Sequence, residues 1–204
     1  MARIEIDTPS GTAWADVERP PGKPVAAMVI GHGAGGGVEA PDVLAARNAA
    51  LAAGYVVARI TQPYRVAGRR SPAPAARLDE AWLAATAALS DELGPLPTVH
   101  CGRSSGARVA CRTAAETGAA AVIALAFPEH PPGKPERSRL DELAMPTVPV
   151  LVVQGDRDPF GMPPQAPGRR VVVVEGGDHS LRRGRAVIEA AVTEFLAEHV
   201  AQRR

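Results

Sequence analysis

Apolar and polar positions change rhythm near residue 20. Arg3 to Asp7 and Thr12 to Val17 alternate with period two on either side of Pro9-Ser10-Gly11, the pattern of an antiparallel hairpin with one solvated face. From there on the apolar residues come in short unbroken runs: Val25 to Ile30, Tyr55 to Ile60, Thr98 to Cys101, Ala121 to Leu125, Val150 to Val153 and Val171 to Val174. Runs of this kind suit strands buried on both faces. Between them lie Ala- and Leu-rich stretches of helical period, near Pro41 to Ala53, Ala75 to Leu89, Ser104 to Glu116 and Arg183 to Val200. The alternation predicts an α/β fold: a mostly parallel sheet with an antiparallel N-terminal edge and helices on both faces. In such sheets ligands bind at the carboxyl ends of the strands. Three Pro-rich connections, Gln62 to Pro74, Pro128 to Pro135 and Met162 to Gly168, read as rigid turns, the third as a surface turn only.

Length and composition narrow this picture. With 204 residues and 46% hydrophobic content the chain supports one substantial core, so a single domain over residues 1–204 is expected, without an inserted cap. The 23 Lys and Arg nearly balance the 22 Asp and Glu, and no basic run is interleaved with aromatics, which argues against nucleic acid as a partner. No run approaches the roughly 18 apolar residues of a membrane span, and Met1 to Asp7 lacks a signal-peptide core. A soluble, cytoplasmic protein is expected. Cys101 and Cys111 read as small core residues, since no Cys or His cluster accompanies them; neither a metal nor a cofactor is expected.

The chemistry concentrates after predicted strands. Pro97 to Gly106, PTVHCGRSSG, runs from strand through Gly102-Arg103-Ser104-Ser105-Gly106 into helix. Strand, G-x-S-x-G, helix is the order of a nucleophile elbow, in which a strained turn lifts the central hydroxyl clear of the sheet. A serine nucleophile needs a base and a carboxylate to orient it, here in the order Ser, acid, His. Val150 to Gln154 leads into Gly155-Asp156-Arg157-Asp158-Pro159. Asp158, further round the turn, is the preferred acid, and Asp156 is the alternative whose carboxylate otherwise fixes the turn through backbone hydrogen bonds. The next strand runs into Glu175-Gly176-Gly177-Asp178-His179-Ser180, which makes His179 the base. His32 and His100 do not fit the order and read as hydrogen-bonded structural residues; His199 lies on the polar side of the last helix. For the oxyanion, the Ser105 amide is one expected donor. The glycine-rich Gly31 to Gly37 segment offers the other, from Ala34 or Gly33, and it lacks the endings of a phosphate-binding loop.

The chain resembles the α/β-hydrolase superfamily, and within it the small cap-less branch related to dienelactone hydrolases and to the bacterial relatives of NSL-complex-subunit-like proteins. The resemblance is carried by GHGAGGG at Gly31 to Gly37, QPYRVAGRRSP at Gln62 to Pro72, GRSSGAR at Gly102 to Arg108, HPPGKPE at His130 to Glu136, QGDRDPFG at Gln154 to Gly161 and GGDHS at Gly176 to Ser180. It implies a triad of Ser104, Asp158 and His179 and hydrolysis of a small ester, thioester or lactone. Ser105 departs from the pattern, since such elbows often carry methionine or another bulky residue there. Some members of this branch are subunits of protein assemblies, so a non-catalytic interaction module is the alternative function. Arg65, Arg69, Arg70 and Arg103, joined by Lys134, lie on predicted loops near the catalytic edge and as a set would steer an anionic substrate group.

Overall fold

Alternation along each strand sends successive side chains to opposite faces of one sheet, and both faces are covered. The computed structural model describes residues 1–199. Eight strands, β1 (Ala2–Thr8), β2 (Gly11–Glu18), β3 (Ala26–Gly31), β4 (Tyr55–Thr61), β5 (Thr98–Arg103), β6 (Ala121–Leu125), β7 (Val150–Gly155) and β8 (Arg169–Val174), lie in the order β1-β2-β4-β3-β5-β6-β7-β8. The β1–β2 and β2–β4 pairings are antiparallel, and the rest are parallel. Residue 200 and those after it, which include the end of the predicted last helix, lie outside the described residues.

Met28 and Ile30 of β3 face one core with Val57, Cys101, Ile123 and Val153. That core is closed by α1 (Pro41–Ala52) and α7 (Arg185–His199), through residues such as Val43, Ile188 and Phe195. Ala27 and Val29 face the other side, where α3 (Ala75–Ala88) contributes Leu78 and Trp82. Beside it α5 (Ser105–Thr113) packs Ala107 and Cys111 on Val122 and Val152. Cys101 and Cys111 are free and buried against opposite faces of the sheet, so they serve as small apolar fillers and cannot pair. Three one-turn helices were not legible as helical period: α2 (Pro63–Val66), α4 (Ser90–Leu93) and α6 (Leu140–Leu143). Each is too short to show a repeat. No helix among the described residues is long and apolar enough to cross a membrane.

The outer strand β8 pairs only with β7, leaving one edge of its backbone open. Gln165 covers its middle: the side-chain Oε1 accepts from Val171 N at 3.0 Å, and Nε2 donates to Val171 O at 3.0 Å. The third Pro-rich connection is thus more than a turn, because its glutamine occupies the hydrogen-bonding positions of a missing neighbour strand.

His100 is a buried polar residue within β5, and its Nδ1 accepts a hydrogen bond from the Trp82 indole at 3.3 Å. Burial pushes this imidazole from 6.5 down to about 4, and burial also lowers His32. The unfolded chain therefore takes up protons in this interval that the folded chain does not. The stability tied to these histidines is fully present above the unfolded pKa and is lost as pH falls toward the folded value. The melting temperature is expected to fall between about pH 6.5 and 5, ahead of most carboxylate titration. His100→Gln, which keeps an acceptor for the indole but cannot titrate, should show a shallower slope in the same series of melts.

Candidate active site

The elbow begins with three backbones in contact. Gly31 of β3 and Gly102 of β5 are paired in register, and the first turn of α5 sits on both. A Cβ at Gly102 would stand 2.2 Å from the Gly106 carbonyl atoms, and one at Gly106 would stand 2.7 Å from the Gly31 carbonyl atoms. Only glycine fits either position. This approach forces Ser104 to φ 53° and ψ −111°, a conformation that costs a residue with a side chain about 1–3 kcal/mol. Ser104 N donates to Leu125 O at 2.9 Å, which ties the strained residue to the end of β6.

Asp158 and His179 come from loops at the same sheet edge, after β7 and β8, with β6 between them and the elbow. Ser104 Oγ donates to His179 Nε2 at 2.9 Å, and His179 Nδ1 donates to Asp158 Oδ2 at 2.8 Å. With Nδ1–H committed to the carboxylate, Nε2 is left as an acceptor for the serine proton. The Asp158 carboxylate is wholly buried and further held by Gln154 Nε2 on Oδ2 at 2.9 Å and by Phe160 N on Oδ1 at 2.8 Å. Phe160 stacks on the His179 ring, with centroids 4.1 Å apart and planes inclined by 28°. The two loops are in backbone contact: Arg157 N donates to Gly177 O at 2.9 Å, and a Cβ at Gly155 would lie 2.2 Å from that oxygen.

The expectation that the Asp156 carboxylate fixes this turn needs correction. Asp156 is exposed, and its side chain makes no hydrogen bond among the described residues. The turn is held instead by Asp158 N on Gly155 O at 3.2 Å and by the Asp158 carboxylate on Phe160 N. Asp158 therefore carries both jobs that the sequence divided between two residues.

The glycine-rich segment after β3 is pinned by its carbonyls. Gln62 N donates to His32 Nε2 at 3.0 Å, which fixes the proton on Nδ1, and Nδ1 donates to Gly33 O at 2.8 Å. Tyr64, on α2, donates its hydroxyl to Ala34 O at 2.8 Å. With these carbonyls held, the Ala34 amide and the Ser105 amide at the start of α5 donate no backbone hydrogen bond among the described residues. Ser105, small where a bulky residue was the family's pattern, borders a small cavity shared with Gln62, Tyr64 and Trp82.

The four arginines do not form one set. Arg103, which precedes Ser104, is engaged inside the protein: Nε donates to the buried Asp42 at 3.2 Å, and one terminal nitrogen donates to the His179 carbonyl at 2.9 Å. Burial raises the Asp42 carboxyl, and the Arg103 charge opposes that rise. One side chain thus ties the elbow to α1 and to the histidine loop, which leaves it unfit for the substrate contact expected of it. Arg65 donates to Arg69 O at 3.2 Å, Arg69 borders a separate cleft, and Arg70 is exposed, as is Lys134. Arg103, Asp42, Gln154, Phe160, Gln62 and Tyr64 were not identified as supports of the site from the sequence. Their partners lie on other loops, and only the adjacency of Arg103 to Ser104 offered a local signal.

A Cβ at Gly33 would lie 2.5 Å from an Arg103 guanidinium nitrogen. Gly33→Ala is therefore expected to cost about 1–3 kcal/mol, the usual range for overpacking. The same change in an Arg103→Ala background should cost less than half as much, because the obstructing side chain is gone. Urea unfolding of the two single variants and the double variant measures the coupling.

The comparisons with known proteins agree with this architecture. A family model described as an alpha/beta hydrolase domain matches residues 24–202. A lid-less α/β serine hydrolase from Xanthomonas campestris superposes with a TM-score of 0.82 at 20% identity, covering 100% of this chain and 96% of that one. An α/β serine hydrolase homologue from Coxiella burnetii gives 0.78 at 19% identity, with 96% and 97% covered. A dienelactone hydrolase from Anabaena variabilis gives 0.74 at 16%, with 98% and 97% covered. No curated protein has a significantly similar sequence. Sheet order, the absence of a cap among the described residues and the family match lead to one conclusion: the chain belongs to the α/β-hydrolase family, in the fold shared by its lid-less serine hydrolases and dienelactone hydrolases.

Proposed function

We propose that the protein is a serine hydrolase that cleaves a small carboxylic ester, thioester or lactone through an acyl-enzyme. The observation that carries this reading is the unbroken relay from Ser104 Oγ through His179 to the buried Asp158 carboxylate, at 2.9 and 2.8 Å. Ser104 Oγ attacks the substrate carbonyl carbon while its proton passes to His179 Nε2. The imidazolium so formed is stabilised by the Asp158 carboxylate, whose second oxygen accepts a hydrogen bond from the Phe160 amide. Negative charge on the carbonyl oxygen is met by the amides of Ser105 and Ala34, with Gly33 as the alternative to the latter. Collapse breaks the bond to the leaving alcohol or thiol, which takes the proton from His179. Water then attacks the acyl group with His179 as base, releasing the acid and restoring Ser104. The structural relatives that are themselves serine hydrolases or dienelactone hydrolases support an acyl substrate.

A fluorophosphonate probe should label Ser104 and leave Ser104→Ala unlabelled. Absence of labelling in folded protein would favour the interaction-module reading. On a panel of short-chain acyl esters, Asp158→Asn should lower kcat by about 10⁴, the scale on which an orienting aspartate acts. Asp156→Asn should leave kcat and the melting temperature near those of the unmodified protein. A large loss of kcat in folded Asp156→Asn with little loss in Asp158→Asn would overturn the assignment.

A further inference from the structure

One wide cleft has none of Ser104, Asp158 and His179 in its lining. It has a volume of about 710 Å³ and lies between the Pro9–Thr12 turn, α2 with its following loop, and the start of α3. Its apolar lining includes Pro63, Val66, Pro72 and Leu78, while the charges on its wall are those of Arg69 and Arg77. No carboxylate lines it. Arg77 is paired with Glu80 at 2.9 Å, but the Arg69 guanidinium has no hydrogen-bond partner among the described residues. Prolines hold the wall in shape, so a ligand would bear little of the cost of ordering it.

This cleft shares its inner wall with the oxyanion loop. Gln62 and Tyr64 line the cleft on one side. On the other, the Gln62 amide holds His32 and the Tyr64 hydroxyl holds Ala34 O. The cationic loop is itself attached to that wall, because Arg69 N donates to Tyr64 O at 2.9 Å. A chain of direct contacts therefore runs from Arg69 through Tyr64 to the segment that supplies the second oxyanion amide.

We propose that this cleft is an effector site for a small organic carboxylate with an apolar body, held by Arg69 against the proline wall. Its occupancy steadies Tyr64 and thereby the oxyanion loop. The binding stands on the cleft alone; its effect on acylation rests on the hydrolase reading. A neutral analogue of the same shape keeps the apolar contacts and loses the charge-assisted pair. Coupling between two sites requires that the ligand favour one arrangement of the shared wall over the other.

The probes are benzoate and its neutral counterpart benzamide, titrated into ¹⁵N-labelled Ser104→Ala protein, which cannot turn over. Benzoate should shift the amides of Ala67, Arg69, Ala73 and Leu78, with a smaller response at His32 and Ala34. Benzamide should bind at least about tenfold more weakly. Arg69→Gln should erase that preference, and Ala67→Trp, at an exposed position on the cleft wall, should abolish both sets of shifts. With Ser104 present, saturating benzoate should speed fluorophosphonate labelling by about fivefold, at the lower end of ordinary couplings. In Ala67→Trp the basal labelling should persist without that acceleration.

Equal binding of benzoate and benzamide, no saturable shift up to about 10 mM benzoate, or shifts confined to the surroundings of Ser104 and His179 would overturn the site. Acceleration that survives Ala67→Trp would place the effect elsewhere and overturn the coupling, as would saturation of the cleft with no change in labelling rate. Failure to label Ser104 under any condition refutes the hydrolase reading instead, and the spectra still decide the binding.

Discussion

Two strands and a helix meet at Gly31, Gly102 and Gly106 with no side chain between them, and the edge that carries Ser104, Asp158 and His179 is arranged around that contact. The approach leaves no room for a Cβ, so the chain leaves β5 through a residue with positive φ, and that residue is Ser104. Strain at one position is offset by cores on both faces of the sheet, where the central strands are almost wholly buried. A rigid elbow is useful only if its partners are equally fixed. The neighbouring contact of Gly155 with Gly177 meets that need, joining the acid loop to the histidine loop by backbone alone.

Charge is handled differently in the two halves of the site. Asp158 receives hydrogen bonds from an imidazole, an amide side chain and a backbone amide, so its buried charge is shared among neutral donors. Asp42 is buried as deeply but faces a guanidinium, and Arg103 carries that pair across to the histidine loop. A buried ion pair is weak support for stability because desolvation offsets most of its attraction. Its value here is geometric, since the planar guanidinium holds α1, the histidine loop and the elbow in fixed relation.

The regular architecture was legible because burial on both faces produces unbroken apolar runs, and Val150 to Val153 or Tyr55 to Ile60 could be nothing else in this context. The triad candidates were legible because each follows such a run within a few residues. What surrounds them was not, since Asp42 meets Arg103 across 61 positions and Tyr64 meets Ala34 across 30. Sequence spacing carries no information about such pairs. The Asp156 expectation failed for a related reason: two carboxylates in one turn look alike until burial separates them, with one in solvent and the other sealed beneath Phe160 and Gln154. Arg103 misled in the opposite direction, as a charge beside a nucleophile reads as a substrate contact until its carboxylate partner comes into view.

The glutamine that covers the β8 edge bears on how the molecule behaves in a crowded solution. A valine-rich outer strand with free backbone groups is a template on which another chain can continue the sheet. Gln165 satisfies both groups of Val171 from within the same chain, and Arg170 beside it is paired with Glu194 and Glu198 on α7. At this one position of the last strand a side-chain amide stands where the peptide bond of a further strand would be. The groups of Val171 are thereby withdrawn from any strand that would add to this edge.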